Sequence, residues 1–253
     1  MPATTRSDSL DFLAVGAHPD DVEISCGGTL ALAASQGLSV GILDLTRGEL
    51  ATNGTPEERA HEGDESARIL GARGRWNAGL PDGGLDAGDA GQVAETVASI
   101  RRLRPAILLT HFHQDRHPDH VAASALLDRA WYLAGLRRYA PETAPFRPAM
   151  RYHFASRVGF IPSFIVDVTE VWDTKRRAIL AHATQVTRAG ADARPTPLNA
   201  DDFLDRIESR ARYYGGMIGA RYGEPFHSSE PLGVRSLDGL LSAPRTPPGS
   251  FTG

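Results

Sequence analysis

The chain has one cysteine in 253 residues, so Cys26 has no internal partner. An intrachain disulfide is excluded, and a reducing compartment fits. Long apolar runs are missing too: none approaches the roughly 18 residues that a membrane-spanning helix needs. The opening MPATTRSDSL lacks the apolar stretch of a secretory leader. The expectation is a cytoplasmic protein with no membrane partner. A cationic excess is also absent. Lys and Arg number 27 against 31 Asp and Glu, a net charge of −4, and they are scattered rather than clustered, which excludes a nucleic-acid footprint. No internal repeat or low-complexity tract is present. No G-x-G-x-x-G accompanies Gly27-Gly28, which argues against a dinucleotide site.

What is present is an ordinary globular composition, 41% hydrophobic and 23% charged, in a chain long enough to bury one substantial core. Apolar runs alternate with helical periodicity. The pattern predicts strands at 12–16, 39–45, 75–78, 106–110, 150–154 and 164–168. Helices are predicted at 28–36, 55–70, 92–103, 119–135, 170–183 and 200–215. Thr55-Pro56-Glu57-Glu58 reads as a capping box with proline at the first helical position, and Gly71 as the stop. This order predicts an α/β fold: a single Rossmann-like domain over residues 1–243, with a mostly parallel sheet flanked by helices. Residues 244–253, rich in Pro, Gly and Ser, read as a flexible or extended tail.

Two polar clusters interrupt this framework. His18-Pro19-Asp20-Asp21 follows the first strand, and the stretch from His111 to His120 (H-F-H-Q-D-R-H-P-D-H) follows the fourth. With strand order 3-2-1-4, strands 1 and 4 are neighbours whose connections diverge, and the crevice above their carboxyl ends is where such sheets bind ligands. Two imidazoles and a carboxylate with open positions suit Zn²⁺ or Fe²⁺, leaving a spare carboxylate as base and a spare imidazole as acid. Asp and His in loops are also common turn-formers, and Asp119 alone could be a helix cap. The convergence of both clusters on one crevice weighs for chemistry.

A-H-P-D-D-V-E-I-S-C-G-G-T-L with R-H-P-D-H resembles the PIG-L/LmbE family of N-acetylglucosaminyl deacetylases. Softer matches resemble its bacillithiol-pathway branch, which deacetylates N-acetylglucosaminyl-malate: D-L-T-R-G-E-L (44–50), N-G-T-P-E-E-R (53–59), N-A-G-L-P-D (77–82), A-G-L-R-R-Y (134–139) and Y-G-E-P-F (222–226). The resemblance implies an LmbE-like fold and a zinc ion, or ferrous iron, held by His18, Asp21 and His120. It implies Asp20 as general base toward the attacking water, and a positively charged His117 that assists amine departure, oriented by Asp119. Arg59, Asp82 and Tyr222 would meet the substrate. A small-molecule N-acetylglucosaminyl substrate and a homo-oligomer, hexameric in some relatives, are further implications. Two departures stand out: Ser25 replaces the usual glycine, and Asp115 occupies a position that is tyrosine in some members.

The remaining conspicuous residues read as structural. His111 and His113 are expected outside the ligand set, since a catalytic zinc needs only three protein ligands. His61, His153, His182 and His227 stand alone, and Cys26 suits a small buried position at a helix start. Alternatives are the same chemistry on inositol- or chitobiose-type conjugates, a thiol-conjugate amidase, a metal or sugar binder without turnover, and a nucleotide-binding protein.

Overall fold

The computed structural model describes residues 9–187 and 193–233. The proposed tail at 244–253 lies outside them. The elements run β1 (Phe12–Gly16), α1 (Asp21–Ser35), β2 (Val40–Thr46), α2 (Pro56–Leu70), β3 (Arg75–Leu80), α3 (Ala90–Leu103), β4 (Ile107–His111) and α4 (Pro118–Ala134). They continue with β5 (Met150–Phe154), β6 (Phe164–Asp167), a 3₁₀ turn (Thr169–Val171), α5 (Trp172–Ala181), α6 (Ala183–Val186), α7 (Phe203–Gly216) and β7 (Gly223–His227). No described helix is long and apolar enough to cross a membrane.

One seven-stranded sheet is ordered β3-β2-β1-β4-β5-β7-β6. The first five strands are parallel, and β7 runs antiparallel between β5 and β6. β2 is buried along its whole length because helices cover both faces, so it reads as a continuous apolar run rather than an alternation. Neighbouring β1 residues serve opposite faces. Leu13 and Val15 pack with Val97, Ile100 and Leu126 of α3 and α4, while Ala14 packs with Val22, Leu30 and Leu70 of α1 and α2.

The capping box at α2 is complete. Glu58 N donates to Thr55 Oγ1 at 3.2 Å, Thr55 N donates to Glu58 Oε2 at 2.8 Å, and Gly71 closes the helix at φ 75°.

The first helix differs from the expectation. It starts at Asp21, directly after the polar turn, and only its second limb corresponds to 28–36. The two limbs meet at Cys26, whose φ of −134° is non-helical. The amides freed there have a partner from far along the chain: Gly28 N and Thr29 N donate to the Glu224 carboxylate at 2.9 and 2.6 Å, and Lys175 Nζ pairs with the same group. A Cβ on Gly28 would lie 2.9 Å from both Glu224 Oε1 and Val168, so only glycine admits the carboxylate. Glu224 lies on β7, a strand the sequence pattern does not reveal because Pro225 interrupts a five-residue segment.

Candidate metal-hydrolase site

β1 and β4 pair in parallel, with Phe12 opposite Ile107 and Ala14 opposite Leu109. Both polar clusters therefore leave the same edge of the sheet. A cleft of about 620 Å³ opens there, walled by His18, Asp20, Asp21, Arg59, Asp82, His117 and His120, with Ile207 and Arg210 of α7 on its lining.

Asp21 links the two motifs. Its Oδ2 lies 3.4 Å from His18 Nδ1, and its Oδ1 lies 3.1 Å from His120 Nε2. Donors at about 2.0–2.1 Å around a tetrahedral zinc stand about 3.3 Å apart, so each of these two spacings has the size a shared cation needs, but they run through different Asp21 oxygens, and the three residues do not form one of the compact ligand groups of the described residues. The charges agree. Burial disfavours a protonated His18, yet hydrogen bonds to Asp119, Asp21 and Asp82 push its pKa up to about 12. Burial likewise opposes His120, while Asp21 and Asp115 raise it to about 9. A pocket that holds protons this firmly favours positive charge, and a divalent cation can take their place.

Ligand atoms cluster in three overlapping groups among the described residues: His18 with His117 and His120, Asp21 with His111 and His120, and His18 with Asp82 and Asp119. The middle group would enlist His111. That residue is already committed, because Ala17 N donates to His111 Nε2 at 3.0 Å, so ligation through this nitrogen would orphan a buried amide. Burial, then His120, lowers the His111 pKa to about 4, in keeping with a neutral ring stacked 4.1 Å from His120. Asp115 Oδ1 lies 3.3 Å from His120 Nδ1, the kind of outer carboxylate that fixes a ligand imidazole. Its position two residues before His117 was the only sequence signal for that placement.

Asp20 sits at φ 119° and ψ −26°, a costly left-handed conformation for a non-glycine residue. Arg59 holds this turn, donating to Pro19 O at 2.5 Å, to Gly48 O at 3.0 Å and to Asp20 Oδ2 at 3.3 Å. Gly48 makes the approach possible, since a Cβ there would fall 1.7 Å from an Arg59 nitrogen. Burial raises the Asp20 pKa and Asp21 adds to it, while Arg59 opposes them; the result is about 6.

Two expected contacts are altered by the geometry. The Asp119 carboxylate faces His18 at 3.3 Å and accepts from Gly83 N at 2.7 Å, so it does not orient His117. His117 is oriented by the Asp119 backbone, whose N–H donates to its Nδ1 at 3.2 Å. Burial, then His120, lowers the His117 pKa. Tyr222 does not reach the cleft. Its ring stacks on Trp172 at 4.3 Å and its hydroxyl donates to Glu208 Oε1 at 2.9 Å, deep in the cluster around α7. Asp82 does line the cleft, with Oδ1 3.0 Å from His18 Nε2 and Oδ2 accepting from Leu50 N at 2.8 Å. Arg59 lines it as well, but its Nη1 and Nη2 donors are directed at Asp20 and two backbone carbonyls.

A buried carboxylate beside a cluster of His and Asp side chains, at the switch point of a parallel sheet, is the arrangement that a metal-dependent amide hydrolase requires. Residues 13–131 match the PIG-L family model, described as GlcNAc-PI de-N-acetylase. The chain's fold is similar to that of a conserved protein from Thermus thermophilus, with a TM-score of 0.81 and 42% identity over 89% of this chain and 97% of that one. It is 28% identical to a diacetylchitobiose deacetylase from Thermococcus kodakarensis, over 93% of this chain and 86% of that protein. It is also 28% identical to a 1D-myo-inositol 2-acetamido-2-deoxy-alpha-D-glucopyranoside deacetylase from Rhodococcus opacus, over 70% of this chain and 82% of the relative.

Proposed function

We propose that this protein hydrolyses the acetamide of an N-acetylglucosaminyl conjugate, and that the conjugate is N-acetylglucosaminyl-L-malate, the substrate of the bacillithiol branch. The observation that carries the deacetylase reading is the buried, strained Asp20, one residue from Asp21 and within reach of the cleft.

His18, Asp21 and His120 would hold the cation, zinc or ferrous iron. When bound, it supplies a Lewis acid that polarises the amide carbonyl and acidifies water. Asp20 takes the proton of the attacking water, and its elevated pKa suits transfer near neutral pH. Water oxygen bonds to the amide carbon; the C–N bond then breaks, and the proton on Asp20 passes to the departing amine, giving acetate and a free amino sugar. His117, on the cleft wall, donates Nε2–H to the oxyanion as it forms. Asp119 and Asp82 hold His18 in place, and each Asp82 oxygen keeps acceptor capacity for a sugar hydroxyl.

Three of the softer motifs support the malate branch by position, since they end on cleft residues Leu50, Arg59 and Asp82. The named relatives favour the competing substrates, chitobiose and inositol conjugates. A homo-oligomer in the cytoplasm belongs to the same reading and is checked by light scattering and cell fractionation. The deciding experiment measures acetate release from malate, inositol and chitobiose-type substrates side by side with metal-loaded protein. Fastest turnover of the malate glycoside is expected. Preference for another conjugate would reassign the substrate, and no acetate from any would remove the deacetylase reading.

A further inference from the structure

Among the described residues five arginines line the cleft, and three of them are spoken for. Arg59 is held at the Asp20 turn, Arg206 pairs with Asp202, and Arg210 donates to Ser156 O and, at 2.8 Å, to Ile24 O. Arg116 and Arg157 differ: both are exposed, and among the described residues neither guanidinium has a hydrogen-bond or ion-pair partner. A single group nevertheless braces Arg157 and the residue that follows Arg116. The Asp115 carboxylate accepts from His117 N at 2.9 Å and from Arg157 N at 3.1 Å, tying the loop after β5 to the second metal motif. Arg210 anchors the same loop at Ser156. Two free guanidinium forks thus stand on braced backbone beside the catalytic cluster.

The floor of the cleft has the opposite character, with Asp20, Asp21 and Asp82 on its lining. Asp20 and Asp82 there disfavour a further carboxylate more than they disfavour a neutral acetamido sugar. We infer that Arg116 and Arg157 form a subsite for a carboxylate on the aglycone and so determine which N-acetylglucosaminyl conjugate is accepted. Planar guanidinium forks match a carboxylate with two parallel hydrogen bonds, and charge makes such bonds stronger than neutral ones. The inference rests on the proposed deacetylase reading and deepens it, since a malate aglycone carries two carboxylates.

The test compares N-acetylglucosaminyl-malate with its uncharged diamide. Binding is measured by calorimetry on metal-loaded Asp20→Asn protein, which separates recognition from turnover. The malate conjugate is expected to bind at least about tenfold more tightly than the diamide, the scale of one charge-assisted hydrogen bond. Arg116→Gln and Arg157→Gln should each shrink that ratio, the double variant should bring it close to one, and Arg157→Lys should restore part of it. Raising salt from 50 to 500 mM should weaken malate binding far more than diamide binding, a readout that needs no arginine variant. An equal affinity for the two ligands, or a ratio unchanged in the double variant, overturns the subsite. No acetate release by the metal-loaded parent protein, alongside a retained charge preference in binding, would instead count against the deacetylase reading.

Discussion

The Arg59 guanidinium lies 3.3 Å from the carboxylate of Asp20 and donates at 2.5 Å to the carbonyl of Pro19, the residue before it. One side chain thus holds both the Asp20 carboxylate and the backbone that presents it. Asp20 is kept at φ 119°, where the turn from β1 into α1 is tight enough to set His18, Asp20 and Asp21 around one point. Arg59→Met should therefore lower kcat more than it raises KM, and should cost about 3 kcal/mol of stability, because two carbonyls and a buried carboxylate lose their donor. Steady-state kinetics with a melting curve check this. A rise in KM alone would return Arg59 to substrate contact.

Asp20→Asn removes the proton acceptor but leaves the three ligand side chains. Turnover should fall by about 10² to 10⁴, with metal content near that of the parent when measured by elemental analysis. Parent-like turnover would end the assignment of Asp20 as base.

His120 and His111 stack on each other and flank Asp21, yet their substitutions should separate cleanly. His120→Ala should lower metal occupancy. His111→Ala should retain metal while losing roughly 2–4 kcal/mol of stability, because the buried Ala17 amide loses its acceptor and a cavity opens. The reverse pattern in metal content would exchange their roles.

Tyr222→Phe deletes a hydroxyl that meets Glu208 and not the cleft. A loss of about 1 kcal/mol with kcat/KM within twofold of the parent is expected. A tenfold fall in kcat/KM would place Tyr222 back among the substrate contacts.

Glu224 and Lys175 are a buried pair, each with a side chain about 2% exposed. Removing one partner leaves the other charge uncompensated, so Lys175→Met should cost about 3–5 kcal/mol. Combining it with Glu224→Gln should cost less than the two singles summed. Simple additivity in chemical denaturation would show that the two groups do not act as a pair.

Local chemistry was legible in the sequence wherever neighbours along the chain suffice. The capping box at Thr55 and Glu58, the stop at Gly71 and the apolar runs of β1, β2 and β4 depend on residues a few positions apart or on burial between two helix layers. Strand order followed from the crossover pattern, and with it the meeting of His18, Asp21 and His120 at one crevice. Less visible was anything set by a partner from afar. The break in α1 at Cys26 is stabilised by Glu224, some 200 positions later, on a strand too short and proline-interrupted to announce itself.

The sequence by itself thus determined the α/β framework, the residue types of a hydrolytic metal site and the two places on the chain that supply them. Tertiary structure decided what each of those residues meets. Asp119 turned its carboxylate to His18 and gave His117 only a backbone N–H, Arg59 went to Asp20, and Tyr222 went to the core. A side chain's role depends on which donor or acceptor lies within about 3 Å of it, and that distance is set by packing among elements that the sequence keeps far apart.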